Sequence, residues 1–504
     1  MAVPEPSEFE VKFAVPAASR AQVAAEVSRG AGFQGRRSLT AMYLDTPDGR
    51  LAAAGLAWRL RRESRRWVQT LKARSGAALL RIEHEVPCAT PTPDATRHAG
   101  TPAGERLLAL LHTAQRDGLQ VEVRFRTEVR RSTRVIRTRG AVVELAFDEG
   151  QIVAGPLQRR VRELEFECLS GSRTAMLDLA RRWQQRFGLL LDPLSKSERG
   201  SLLANGQLHP PVRKAALPRF AAGAPAGVAF AAVLDECLDQ VLRNAAGLCD
   251  GAREQRVEHV HQLRVGLRRL RSALRSFRGW VQAPPPPLVD GLQALFTELG
   301  RTRDNDMMAG SVAADLAAAG GPPWPARPAT QGRPPAVLLR APPTQGLLLD
   351  WLRWQATDRD TQGGMDPASK SLPPSDHLRR RARKRLRAWH KRLAQQAQAF
   401  DTLDETSLHA LRKRIKRQRY AVEFLAPLLP RRALTRDLPQ LTRAQARMGE
   451  LHDLFVLQAH CQTGATAAPA ARFALTWLAE RIAEARAGSR TAVHALSGAE
   501  PPLP

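Results

Sequence analysis

From its first residues the chain alternates charged and apolar positions. In Glu8-Phe9-Glu10-Val11-Lys12-Phe13 the ionised side chains fall at every second position, with phenylalanine and valine between them. A strand throws successive side chains to opposite faces, so this pattern predicts a β-strand with one charged face and one apolar face. The same period returns in WRLRRE, WVQTLKA, LLRIEHEV, VEVRFRTEV, VVELAFD and VRELEFECL, with Gly, Pro or Asp turns between segments. Helical spacing interrupts at Ala18 to Ser28 and at Arg173 to Phe187. The character changes near residue 208. The run HPPVRKAALPRFAAGAPAG reads as a linker over 208–227, and from about Phe230 the apolar spacing is that of long helices. The expected division is a strand-rich domain over 1–207, a helical domain over 228–485 with a Pro/Gly-rich insertion at about 320–344, and a disordered tail over 486–504.

The helical half repeats itself. His261-Gln-Leu-Arg-Val-Gly-Leu-Arg-Arg-Leu-Arg271 shares the pattern H-x-L-R-x-x-[LI]-[RK]-R-x-R with His409-Ala-Leu-Arg-Lys-Arg-Ile-Lys-Arg-Gln-Arg419. Downstream of each, at nearly the same spacing, comes a Gly-to-Asp motif: LGRTRDND around Gly300 and Asp304, and MGELHDL around Gly449 and Asp453. Two matches in the same order predict two related units packed as a duplicated bundle, with the aspartates capping or bracing it.

Charge sharpens this picture. The 504 residues carry a net charge of +28, and of 77 basic residues only nine are lysine. A guanidinium stays charged and grips phosphate with two prongs, so a polyanionic partner is the first expectation. No 18-residue uncharged apolar run is present, which excludes a helical membrane span. The start, MAVPEPSEFE, lacks the basic-then-apolar pattern of a signal peptide. Five cysteines without a CxxC pair fit a reduced, cytoplasmic chain and argue against structural zinc or a disulfide framework.

The charged strand faces are unusual because they are almost wholly ionised, with acidic and basic strands segregated. Antiparallel strands closed into a barrel, apolar side outward under helices, would aim these charges into a lumen. Buried charges need partners or ligands. A di- or triphosphate with a divalent cation meets both the acidic and the basic demand.

In sequence, ExExK at Glu8, Glu10 and Lys12, YLDTPD, WRLR, QTLK, RIEHE, VELAFDEG, ELEFE and SKSERG resemble, in order over residues 1 to 205, the motifs of the CYTH superfamily of triphosphate tunnel metalloenzymes. The resemblance implies an eight-stranded antiparallel tunnel acting on triphosphate groups with Mg²⁺ or Mn²⁺. It implies Glu8, Glu10, Glu165 and Glu167 as metal ligands. Lys12, Arg59, Arg61, Lys72, Arg81, Arg131 and Lys196 would line the phosphate path, with Glu83, Glu85, Glu144 and Asp148 as further tunnel carboxylates. Arg124, Arg126, Arg130 and Arg134 compete with Arg131 for its role.

In the helical half, at 100° per residue, His261, Arg264, Arg268, Arg271 and Arg275 fall in a band about 80° wide beside a stripe of leucines. His409, Arg412, Lys416 and Arg419 form the equivalent band in the repeat. A solvated face normally carries acids at i,i+4 from its bases; these bands lack them. This half resembles the CHAD domain (conserved histidine α-helical domain), which implies binding of inorganic polyphosphate by both bands. The expected whole is α+β: a CYTH tunnel fused to an all-α CHAD bundle, in the cytoplasm or at polyphosphate granules, hydrolysing inorganic triphosphate and binding polyphosphate. An organic triphosphate substrate or a cyclase-type reaction is the first alternative. A non-enzymatic binder of polyphosphate or nucleic acid is the second, and nucleic acid is disfavoured because single-strand binders interleave aromatics with their basic residues and the only aromatic near the first band is Phe277.

Overall fold

The computed structural model describes residues 7–63, 66–74, 79–251, 254–307, 313–322, 333–363, 376–464 and 469–502. Among the described residues nine strands are formed: β1 (Ser7–Ala14), β2 (Phe33–Asp45), β3 (Leu56–Glu63), β4 (Arg66–Arg74), β5 (Leu80–Cys88), β6 (Glu122–Arg137), β7 (Ala141–Ala154), β8 (Leu157–Gly171) and β9 (Leu190–Leu191). Eight of them close a ring in the order β1–β5–β4–β3–β2–β6–β7–β8 and back to β1. The expected eight-stranded tunnel is therefore present, and the two-residue β9 makes a ninth strand. It shares an edge of β1 with β5: β5 pairs with Ser7–Phe9, and β9 with Phe13 and Ala14.

Alternation decides what faces where. Phe9, Val11, Phe13, Val143, Leu145, Phe147, Leu164 and Phe166 point outward and are buried under α1 (Arg20–Val27) and α4 (Arg173–Phe187). Trp58, Leu60 and Leu71 are buried under α2 (Arg50–Ala53) and α3 (Pro102–Arg116). Each such side chain contributes roughly 1.5–3 kcal/mol when fully buried, which holds the barrel apolar side out. A short helix, α5 (Lys196–Ala204), sits over one end. Beneath it the lumen is apolar: Leu39, Ala41, Tyr43, Phe125, Val129, Ile152 and Val161 pack with Leu203 of α5. The charges expected to point into the lumen therefore leave one end of it apolar, because the end under α5 is excluded from water and cannot carry unpaired charge.

Helices α6 (Ala226–Asp250), α7 (Arg256–Ser276), α8 (Pro286–Met307), α9 (Ala313–Ala318), α10 (Pro335–Arg340), α11 (Pro342–Gly363), α12 (Asp376–Gln398), α13 (Glu405–Phe424), α14 (Leu438–Gly464) and α15 (Pro469–Ser497) form the second half. Of the Pro/Gly-rich stretch expected over about 320–344, residues 323–332 lie outside the described residues; Pro335–Arg340 is helical, and a further helix begins at Pro342, because proline is tolerated in a first helical turn, where no intrahelical donor is needed. The tail expected from residue 486 is ordered to Ser497, and Val493 and Leu496 are buried in the core of the second repeat. No described helix is long and apolar enough to cross a membrane. The core of the first helical unit is continuous with the outer face of the tunnel: Phe13, Phe166 and Trp183 belong to the same buried cluster as Phe230, Leu267 and Trp351.

Candidate active site in the tunnel

Three rows of side chains cross the lumen, set by strand register. Glu10 of β1 lies opposite Glu167 of β8, which lies opposite Glu144 of β7. Lys12 lies opposite Glu165. Glu163 lies opposite Asp148, which lies opposite Arg131 of β6.

The last two rows form one ionic cluster. Lys12 Nζ is 3.2 Å from Glu10 and 3.1 Å from Glu165. Arg131 donates two 2.7 Å hydrogen bonds to Asp148 and a third of 2.7 Å to Glu165. Lys196, the first residue of α5, reaches Asp148 at 2.9 Å and Glu165 at 3.0 Å, and donates to Glu163. Burial opposes ionisation of Asp148 and Glu165, but the surrounding Lys and Arg charges win and hold both carboxyls low. Burial likewise opposes the charges of Lys12, Arg131 and Lys196, and the carboxylates push all three above their ordinary values. On the opposite wall Lys72 contacts Glu8 at 3.2 Å and also Glu83. Arg59 is 3.5 Å from Glu83 and 3.4 Å from the Tyr43 hydroxyl, and Arg61 is 3.0 Å from Glu85.

The row of Glu10, Glu167 and Glu144 behaves differently. Burial, then the charges of Glu144 and Glu10, push Glu167 up to about 7. Burial raises Glu144 too. Glu8 is pushed up to about 8 by burial, against the opposing charge of Lys72 and with Glu83 and Glu167 adding to it. Carboxyls crowded in this way favour a shared proton or a cation. Separately, Asp148, Glu163 and Glu165 can bring one oxygen each within 4.8 Å of the others, close enough to hold one metal ion. That trio is the tighter cluster but is already met by three cationic side chains. The glutamate row is where positive charge is most wanted.

The lumen thus gathers Lys12, Arg59, Arg61, Lys72, Arg131 and Lys196, together with Glu8, Glu10, Glu83, Glu85, Glu144, Asp148, Glu165 and Glu167. The side chain of Arg81 lies outside the described residues. Arg131 is the one that faces inward among the five competing arginines: Arg124 reaches Glu122 and Arg134 reaches Glu26 of α1, both on the outside. Two further lumen residues, one of them on the charged strand face already expected to point inward, were not among the expected site residues. Glu163, pushed up to about 7 by burial against the pull of Lys196, sits two positions before Glu165 on the same face, so its signal was the strand period itself. Tyr43 stacks on Phe125 at 4.5 Å and meets Arg59. Its role depends on a neighbour from another strand, which no local pattern shows. Three of the nine lysines of this arginine-rich chain, Lys12, Lys72 and Lys196, point into the lumen.

The two basic bands lie on α7 and α13, which pack against each other. His261, Arg268 and Arg271 are half-buried and Arg275 is exposed. Arg264 is buried and donates to the Leu299 carbonyl at 3.2 Å. Arg264, Arg268 and Arg271 all lie within 6 Å of the Phe296 ring on α8. Phe277, the aromatic expected near this band, is in the core instead. In the repeat the His409 ring lies against His452, with centroids 4.5 Å apart and planes tilted by 35°. Lys416 is pushed down to about 7 by burial, then by Arg412 and by Arg268 from the other band. Arg419 is engaged by Glu423 at 2.6 Å and Gln445 at 2.8 Å, so it is less free to meet a ligand than its position in the pattern implies. The Gly-to-Asp motifs also have a physical reading. A Cβ at Gly300 would lie 3.2 Å from Arg264, and one at Gly449 would lie 3.8 Å from Arg412. Gly300 thus leaves room for the arginine of its own repeat, whereas at Gly449 the contact would be an ordinary one. Asp453 lies in mid-helix and faces Lys416 electrostatically rather than capping; the side chain of Asp304 lies outside the described residues.

A closed antiparallel tunnel with an ionised lumen, joined to a duplicated helical bundle with paired basic bands, defines a two-domain architecture. Residues 7–201 match the CYTH domain and residues 232–462 the CHAD domain, and the chain belongs to the CYTH–CHAD proteins. A curated relative, the inorganic triphosphatase of Haemophilus influenzae, is 27% identical over 168 residues, which are 33% of this chain and 46% of that protein. The match therefore spans about half the length of that relative. Among solved structures, the CHAD domain of Ricinus communis is 27% identical, covering 58% of this chain and 97% of its own, with a TM-score of 0.41. A putative adenylyl cyclase from Hippeastrum with a dominant triphosphatase activity is 19% identical, covering 40% and 98%, with a TM-score of 0.30.

Proposed function

We propose that the tunnel hydrolyses inorganic triphosphate to diphosphate and phosphate with the help of Mg²⁺ or Mn²⁺, and that the helical domain binds inorganic polyphosphate. The observation that carries the first half is the convergence of six cationic side chains from five elements on one closed lumen that also holds carboxyls of raised pKa. Phosphoryl transfer needs charge neutralisation and alignment more than covalent chemistry. Lys12, Lys72, Lys196, Arg59, Arg61 and Arg131 supply the clamp. They now rest on carboxylates, which triphosphate oxygens can replace.

The residues fit a hard divalent cation, since all the donors are carboxylate oxygens. Glu8, Glu10, Glu165 and Glu167 are the proposed ligands, with Glu144 beside them. A divalent cation there supplies neutralisation of phosphate oxygens and polarises the anhydride bond. Glu163, outside the proposed ligand set and near 7, is suited to take a proton from the attacking water at neutral pH. The lumen aromatics Tyr43 and Phe125 stack on each other under α5 and offer no free face to a nucleobase. That favours an inorganic substrate over a nucleotide.

The influence of Arg268 on Lys416 across the two repeats supports the second half of the proposal: the bands form one basic surface, on which a flexible polyanion relieves repulsion. The test is phosphate release from tripolyphosphate, ATP and long polyphosphate in parallel, with Mg²⁺ and with EDTA. Fast, EDTA-sensitive release from tripolyphosphate is expected. Preference for ATP would move the reading to organic triphosphates.

A further inference from the structure

Helix α5 does two things in the tunnel domain. Its first residue, Lys196, enters the lumen and meets Asp148, Glu163 and Glu165. Its later residues Gly200 and Leu203 close the lumen end against Phe125 and its neighbours. The remaining face of α5 is held from the helical domain. Glu198 uses one oxygen for its own helix: Oε2 accepts from the Ser195 backbone N–H at 3.0 Å, and Ser195 Oγ accepts from the Glu198 N–H at 3.2 Å, a reciprocal cap. The other oxygen, Oε1, accepts from Arg243 of α6 at 2.9 Å and from Arg74 of β4. The next residue, Arg199, contacts Asp192 and lies 3.9 Å from Asp250 of α6. Asp250 is also held by Arg159 of β8 at 2.5 Å.

Arg243 and Asp250 are two helical turns apart on α6 and face the same way. They carry opposite charges and meet opposite charges on adjacent residues of α5. Arg243 is itself fixed by Asp239 at 2.5 Å, and its side chain is only 14% exposed. Such a two-point grip fixes both the position of α5 and its rotation. Rotation matters here, because the ammonium of Lys196 must reach three carboxylates at once.

We infer that Arg243, with Asp250, is a positioning pair through which the helical domain sets Lys196 in the triphosphate tunnel. Arg243 lines the cavity that Glu10 and Lys12 also line, and its contact with Glu198, like that of Asp250 with Arg199, bears on Lys196 through α5. The consequence of the grip for hydrolysis rests on the function proposed above, whereas its existence does not. A misplacement near 1 Å of a group that aligns substrate costs up to about a hundredfold in rate, so a loosened α5 is read most sharply at Lys196.

The experiment uses the full chain and reads Lys196 directly. Wild type, Arg243→Met, Arg243→Lys and Asp250→Asn are treated briefly with an amine-acylating reagent, and modification of each lysine is followed by mass spectrometry. Lys12, held in the same carboxylate cluster but carried by β1, is the internal reference. The expected result is an increase of at least fivefold in the Lys196 rate relative to Lys12 in Arg243→Met, a smaller increase in Asp250→Asn, and near wild-type protection in Arg243→Lys. With tripolyphosphate, kcat/KM falls about tenfold in Arg243→Met and recovers in Arg243→Lys. An unchanged Lys196 rate in both Arg243→Met and Asp250→Asn overturns the inference, as does an equal rise at Lys12 and Lys196, which is general loosening. If Arg243→Met does not fold, Glu198→Gln removes the charge that Arg243 grips while keeping an oxygen for the cap, and is judged by the same ratio. A wild-type protein with no triphosphatase activity sinks the proposed function, and the acylation ratio still decides on the grip.

Discussion

Glu10 shows what one carboxylate is asked to do. It lies in the row with Glu167 and Glu144 and is also 3.2 Å from Lys12. Glu10→Gln keeps the shape and removes the charge. Loss of triphosphatase activity by hundreds-fold, the order of a lost metal or transition-state contact, is expected, with the thermal midpoint close to wild type; near-normal turnover in a folded variant would count against the tunnel mechanism. The raised carboxyls of Glu8 and Glu167 add a pH dependence. A carboxyl whose pKa is higher folded than unfolded stabilises the protein fully below its unfolded value and loses that contribution as pH rises through the folded value. From the ordinary value of 4.5 to about 7 for Glu167 and about 8 for Glu8, the metal-free protein becomes less stable. A bound divalent cation favours the ionised forms, so the rise in melting temperature on adding Mg²⁺ should be larger at pH 8 than at pH 6. An equal rise at both would place the cation elsewhere. The identities of these carboxylates were legible in sequence, because a strand period of two puts each on the lumen face without any tertiary information. Their protonation was not, since it depends on neighbours brought in by other strands: Glu144 and Glu10 for Glu167, Lys72 and Glu83 for Glu8.

At the scale of elements, α5 shows where local reading stops. The motif Ser195-Lys-Ser-Glu198 announces a capped helix start, and a cap is a local device. That the helix covers a barrel end is not local. It follows from Gly200, where a Cβ would fall 2.0 Å from the Phe125 ring. Gly200→Ala should therefore lift α5 or displace Phe125, costing about 1–3 kcal/mol as overpacking does, and should reduce triphosphatase activity along with stability. A variant with unchanged melting temperature and turnover would show that α5 does not press on the ring. Helices α7 and α13 were legible as amphipathic and basic, but not the burial of Arg264, which looks equivalent to its neighbours on a helical wheel. The charge reversal that tests polyphosphate binding therefore spares it. Arg268→Glu with Lys416→Glu, one from each repeat, should cut affinity for long polyphosphate at least tenfold and flatten its salt dependence, while tripolyphosphate hydrolysis stays near wild type. Unchanged affinity in gel-shift titrations would remove these bands from the binding surface.

Across the whole molecule the linker marks a change of composition more than a mechanical boundary. Residues 1–207 and 228–485 were separable in sequence because periodicity switches from two to helical. What sequence could not show is that the outer face of the barrel and the core of the first helical unit are one buried cluster. Polar contacts line the same junction: Arg353 meets Asp178 at 2.6 Å, Arg181 meets Asp350 at 3.3 Å, and the Leu191 N–H donates to the Gln345 side-chain oxygen at 2.7 Å. Even the linker is tied down, with Arg213 held by Glu236 at 2.9 Å and Asp239 at 2.7 Å. A shared core couples the unfolding of the parts that share it, since neither side can open without exposing the other. Scanning calorimetry of the full chain should therefore show the tunnel and the first helical unit melting in one transition. A ligand that binds only the folded state raises the midpoint of the unit to which it is coupled. Tripolyphosphate in the tunnel should thus shift the transition that contains α6 and α7, as hydrogen exchange of those helices would report. If exchange slows in the strands while α6 and α7 stay unaffected, the two domains are energetically separate and the shared core is contact without cooperation.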